Sequence, residues 1–176
     1  DRVFLLDVSG SMESCWDDTI GGFNSFLADQ KATGGTLTLI QFDHEYQMTC
    51  ERNEIDDVTP LTRETYQPRG STALLDAIGR LIKDWKGASN PSVVILTDGQ
   101  ENSSHKFTKS HIKDLIEQKT KDGWTFAYLG ANQDAFAEGA RIGIRAGAAL
   151  DFEADSGGVA EMFGAVCEAA HDFRAA

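Results

Sequence analysis

Three short stretches of this sequence gather oxygen-bearing side chains: Asp7-Val8-Ser9-Gly10-Ser11, Gly70-Ser71-Thr72 and Thr97-Asp98-Gly99. Asp7, Ser9 and Ser11 stand at i, i+2 and i+4, a spacing that lets all three point the same way in an extended turn, with Gly10 permitting a tight bend. Two carboxylates and several hydroxyls, with no His or Cys nearby, make a hard-ligand set. Such a set suits Mg²⁺ or Mn²⁺ rather than zinc or copper. A helix beginning near Ser11 also aims its first N–H groups at the same loop.

The elements that must carry these loops are legible in the periodicity. Val3–Leu6, Thr36–Phe42, Val93–Leu96 and Thr125–Leu129 are strand-length runs rich in β-branched and aromatic residues. Val3–Leu6 and Val93–Leu96 are apolar throughout, as central parallel strands covered on both faces should be. Glu45–Thr49 follows the second run after only Asp43 and His44, which predicts a hairpin and an antiparallel edge strand; Ala148–Phe152 is a candidate last strand.

Between the strands, Trp16, Ile20, Phe23 and Leu27 form one face of an amphipathic helix, as do Leu74, Ile78, Leu81, Ile82 and Trp85. Ile112, Leu115 and Ile116 repeat the pattern, and so do Val159, Met162, Phe163, Val166 and Cys167; Gln133–Ile142 is a shorter helix candidate. Alternating strands and helices predict an α/β domain with a mostly parallel, doubly wound sheet and helices on both faces. With no repeat, linker or low-complexity tract, residues 1–176 read as a single domain. In such a sheet, ligands bind beyond the carboxyl ends of the strands where the strand order reverses. Asp7 and Asp98 each follow a central strand.

Asp-x-Ser-x-Ser at Asp7, Ser9 and Ser11, Gly-Ser-Thr ending at Thr72, and Thr-Asp-Gly around Asp98 together resemble the metal-ion-dependent adhesion site of von Willebrand factor type A domains. The order of elements fits over essentially the whole chain. The resemblance implies a Rossmann-like sheet of six strands, one of them an antiparallel edge, with the first and fourth strands adjacent. It implies that Ser9, Ser11 and Thr72 coordinate a divalent cation directly, while Asp7 and Asp98 hold its waters or bind it directly. The open metal position would then take an acidic residue of a partner protein. Tyr128-Leu129-Gly130-Ala131-Asn132-Gln133-Asp134-Ala135 is similar to stand-alone, intracellular members from bacteria and their phages.

Taken one at a time, the same residues have plainer readings. Ser11 and Thr72 serve equally well as helix N-caps, and Asp98-Gly99 as a turn; taken together they favour the metal. Glu101, Asn102 and Ser103 line the rim, either choosing partners or forming a solvated loop. His44 reads as part of a surface turn with Asp43 and Glu45, His105 as solvent-exposed, and Asp56-Asp57 as a solvated turn. His111 and His171 carry no signal, and Trp16, Trp85 and Trp124 fit packing roles.

Composition sets the remaining bounds. With 28 acidic and 16 basic residues the net charge is −12, which argues against nucleic acid and against anionic lipid. Hydrophobic residues at 41% and charged residues at 25% are those of an ordinary globule. No run approaches the roughly 18 apolar residues of a membrane span. Cys15, Cys50 and Cys167 are widely spaced and odd in number, without a CxxC pair. Structural zinc is therefore not expected, and reduced thiols in the cytoplasm are the simplest reading. No signal peptide is read within residues 1–176, which open at once on strand-like Arg2–Leu6, and a monomer is expected.

Three functions compete. The first is a metal-dependent protein-binding module without enzymatic activity. The second is a Mg²⁺- or Mn²⁺-dependent hydrolase or phosphotransferase; against it, there is no nucleophile–base pair and no phosphate loop ending in Lys-Ser or Lys-Thr. The third is a scaffold that barely uses its metal. For the first, the helix around Val159–Ala170, rich in Gly and Ala, is expected to slide along the sheet when the metal position is filled.

Overall fold

The computed structural model describes residues 1–98, 103–131, 135–145 and 148–152. The strands are β1 (Arg2–Asp7), β2 (Thr36–Phe42), β3 (Tyr46–Glu54), β4 (Ser92–Thr97), β5 (Thr125–Ala131) and β6 (Ala149–Phe152). The α-helices are α1 (Trp16–Lys31), α2 (Leu74–Asp84), α3 (Lys109–Lys121) and α4 (Ala135–Arg141). They form one six-stranded sheet in the order β3-β2-β1-β4-β5-β6, with β3 antiparallel and every other pairing parallel. The predicted helix around Val159–Ala170, with Cys167 and His171, lies outside the described residues.

Side chains alternate between two cores, as the twofold period of a strand requires. Phe4, Leu6, Val94 and Leu96 pack on one face against Phe23, Phe26 and Leu27 of α1. Val3, Leu5, Val93 and Ile95 pack on the other against Leu74, Ile78, Leu81 and Ile82 of α2 and Ile112 and Ile116 of α3. Phe4 meets Phe23 edge to face at 5.2 Å between ring centres, a preferred aromatic geometry. No helix among the described residues is long and apolar enough to cross a membrane.

Three local expectations change. The helix predicted to begin near Ser11 is a 3₁₀ turn over Gly10–Cys15, and α1 starts only at Trp16. β3 runs to Glu54, five residues beyond the predicted Thr49, and carries register shifts and Arg52 at φ 49°. Its residues are mostly exposed, so no apolar alternation marks its length. The α2 stripe stops short of Trp85, where the backbone turns extended and the indole packs edge to face with Trp124 at 6.0 Å.

Candidate metal centre

The parallel register pairs Leu6 with Leu96, so Asp7 and Thr97 end neighbouring strands at one level and Asp98 follows at once. This is where the strand order reverses, with β2 on one side of β1 and β4 on the other. Asp7 is fully buried. Its Oδ1 accepts from the backbone N–H of Ser9 at 2.7 Å and its Oδ2 from the Thr97 hydroxyl at 2.6 Å. The carboxylate therefore stitches β1, β4 and the following loop together.

From there the oxygens form a chain. Ser9 Oγ lies 3.2 Å from Ser11 Oγ, and Ser11 donates to Asp98 Oδ1 at 2.8 Å. Burial is the main cause that raises the Asp98 carboxyl from 3.8 to about 6. The Ser11 hydroxyl pulls it down, and the nearby negative charge of Asp7 pushes it up again. Four of the five predicted ligands, from two separate loops, thus join one hydrogen-bonded cluster.

Thr72 belongs to a third loop that is tied to the first through backbone bonds. Gly10 N–H donates to Gly70 O at 3.0 Å, and Arg69 N–H to Val8 O at 2.7 Å. Thr72 is buried, and its carbonyl accepts from the backbone N–H of Ser103 at 3.1 Å. Of the predicted rim, Ser103 is therefore beside the Thr72 loop, while Glu101 and Asn102 lie outside the described residues. The capping reading fails on position. The residue preceding the 3₁₀ turn is Ser9, and that preceding α2 is Ala73, neither making a side-chain cap bond.

Two supporting residues escape the sequence reading. Tyr66, fully buried, donates its hydroxyl to the Asp7 carbonyl at 2.8 Å. Asp43, expected in a surface turn, is 2% exposed. Its Oδ1 accepts from Glu45 N–H at 2.7 Å, its carbonyl accepts from Ala73 N–H at 2.8 Å, and Oδ2 lies 3.3 Å from Arg69 Nε. A signal for Asp43 exists: like Asp98, it directly follows a parallel strand, and Asp7 ends one. The conformational demand also falls elsewhere than expected. Gly10 does not take positive φ, and a Cβ there would meet only ordinary contacts. Gly70 adopts φ +73°, and a Cβ there would lie 2.5 Å from His44 Nδ1.

The donor set is all oxygen, mixing hydroxyls with two carboxylates. Among the described residues, no group of three or more His, Cys, Asp or Glu side chains gathers to hold a metal ion, so a cation here would rely on the hydroxyls together with the two carboxylates. Two carboxylates close enough for one to raise the other match the charge of a hard divalent cation.

The family model described as von Willebrand factor type A domain matches residues 2–100, which hold all three loops. The chain belongs to the von Willebrand factor type A family. No curated protein matches it significantly in sequence. Among solved structures, the von Willebrand domain of the type V pilus tip protein Mfa5 from Porphyromonas gingivalis is similar, with TM-score 0.73 at 12% identity over 97% of this chain and 94% of that one. Proximal thread matrix protein 1 from the mussel byssus, described with a zinc-occupied MIDAS motif, gives TM-score 0.69 at 14% identity over 93% of this chain. The chain spans only 46% of that mussel protein. Manganese-loaded TRAP protein from Plasmodium vivax gives TM-score 0.64 at 17% identity, over 94% of this chain and 71% of that one. At these identities the likeness is one of fold.

Proposed function

We propose that this von Willebrand A domain is a metal-dependent protein-binding module. In this reading Ser9, Ser11 and Thr72 hold a Mg²⁺ or Mn²⁺ ion, with Asp7 and Asp98 beside them, and an acidic side chain of a partner completes the site. The single observation that carries it is the hydrogen-bonded run Ser9–Ser11–Asp98, with Asp7 at its base. A cation bound there supplies the positive charge that a chain of net charge −12 otherwise lacks for attracting a carboxylate. Asp7 and Thr97 keep the cluster level across β1 and β4, and Tyr66 anchors the strand end from below.

Cys15 offers no nucleophile to a thiol-based enzymatic reading. It is the thiol closest to the site in sequence, yet it is buried, its pKa is raised mainly by that burial, and it donates to Met12 O at 3.6 Å. It is a packed thiol, not a thiolate nucleophile. Cys15 and Cys50 are both free, which fits the proposed cytoplasmic location.

Titration with Mn²⁺ tests the reading. The parent protein should bind one ion, and Asp7→Asn should bind about 10–100-fold more weakly, the usual cost of losing a group that orients metal ligands. An aspartate-bearing peptide should bind in Mg²⁺ and be released by EDTA. Equal binding by the parent and the Asp7 variant, indifferent to EDTA, would overturn the mechanism.

A further inference from the structure

A groove of about 930 Å³ runs along α2, walled by the His44–Tyr46 turn on one side and by residues 103–107 on the other. Its mouth adjoins the candidate metal centre: Ser71 lines it, and so does Ser103, whose backbone N–H is bonded to Thr72 O. Its floor runs from Ala73 to Asp84, about 16 Å at the 1.5 Å rise of a helix. That length takes about five residues of extended chain at roughly 3.3 Å each.

The charge of the groove departs from that of the chain. Its acids are already engaged. Both carboxylate oxygens of Asp76 accept from the backbone N–H groups of His105, Lys106 and Phe107 at 2.8, 2.9 and 3.0 Å. Asp84 pairs with Arg80 at 3.5 Å, and Glu45 with Arg69 at 2.9 Å. Lys83 and Lys106, both exposed, have no carboxylate partner among the described residues; the Lys83 ammonium rests 4.9 Å over the Phe107 ring. Two hydroxyls of the walls, Tyr46 Oη and Ser103 Oγ, are buried without a hydrogen-bond partner among the described residues. A protein of net charge −12 thus keeps two uncommitted cations in one channel leading to its candidate metal loops.

We infer that this groove holds an extended acidic stretch of the partner protein, continuing from the carboxylate that reaches the metal centre, with Lys83 and Lys106 pairing with its side chains. The inference rests on the metal-centred reading above for where the stretch begins. Because side chains of an extended chain alternate, the acids facing the groove stand at every second position of the partner.

Two labelled alanine–serine peptides of equal length separate the possibilities, one with a single aspartate and one with three at alternate positions, each followed by anisotropy in Mg²⁺. The three-aspartate peptide should bind about fivefold more tightly, the worth of two exposed ion pairs. In the K83E/K106E variant that advantage should vanish, while Mn²⁺ affinity and single-aspartate binding stay unchanged. Equal affinity of the two peptides for the parent, or an advantage that survives charge reversal, would overturn the inference. Failure of the metal reading looks different: the parent would not bind Mn²⁺, yet a preference for the three-aspartate peptide abolished by K83E/K106E would still support the groove.

Discussion

Asp98 carries its unusual proton affinity because desolvation penalises its charge and Asp7 adds to that penalty, against the help of one serine hydroxyl. Its folded value, about 6, lies above the ordinary 3.8, so the folded state holds this proton more tightly than the unfolded chain does. The stability this group contributes is therefore full below about pH 4 and is lost as pH rises through 6. In EDTA, the difference in urea-unfolding free energy between pH 5 and pH 7 should shrink when Asp98 is replaced by Asn. With Mn²⁺ present the sign reverses, since a proton on Asp98 competes with the ion, and apparent affinity should fall as pH drops below about 6. Titration of the Asp98 carboxyl by NMR, with and without metal, checks both. A carboxyl titrating near 3.8 in the metal-free protein would contradict this account.

At the scale of elements, the decisive piece is the loop from Arg69 to Ala73, which has no regular structure of its own and borrows its shape from neighbours. Gly10 and Val8 bind it from the β1 side, and Asp43 binds it from the end of β2. Gly70 lets it pass close under His44 and Asp43 in a left-handed conformation. Gly70→Ala should therefore cost about 1–2 kcal/mol of stability from backbone strain alone and weaken Mn²⁺ binding by displacing Thr72. Gly10→Ala, with its nearest contact at 3.6 Å, should leave both nearly unchanged. Urea melts and Mn²⁺ titrations of the two variants separate a hinge that must be glycine from one that only happens to be. The same comparison shows why sequence reading favoured the wrong glycine. Gly10 sits inside the motif, whereas the collision that excludes a side chain at Gly70 comes from residues 26 and 27 positions earlier in the chain.

At the scale of the molecule, a cation that binds the folded state alone must stabilise the whole domain by mass action. At a free Mn²⁺ concentration about 100 times the dissociation constant the gain is about 2.7 kcal/mol. For a chain of this size that corresponds to roughly 5–10 °C in Tm. Calorimetry should show this increment in the parent and its loss in Asp7→Ala, whatever that variant's metal-free Tm. An increment of equal size in the variant would place the ion elsewhere on this strongly acidic surface.

Much of this architecture was legible in residue order alone. Apolar runs such as Val93–Leu96 must be covered on both faces, and stripes such as Leu74–Ile78–Leu81–Ile82 must cover something, so the alternation of strands and helices and the oxygen chemistry after β1 and β4 follow from local pattern. β3 was legible only in part, because a strand exposed along most of its length leaves no periodic trace. Asp43 read as surface because its place between two strands also fits a hairpin turn, although it directly follows a parallel strand; its burial comes from the loop that docks over it. Only the tertiary structure decided that Ser11 reaches Asp98, that Tyr66 supports Asp7 and that Lys83 and Lys106 line one channel with Ser71 and Ser103. Each of these depends on strand register and loop docking set by packing between distant segments. Such contacts cost chain entropy to form and leave no signature in the spacing of the residues that make them.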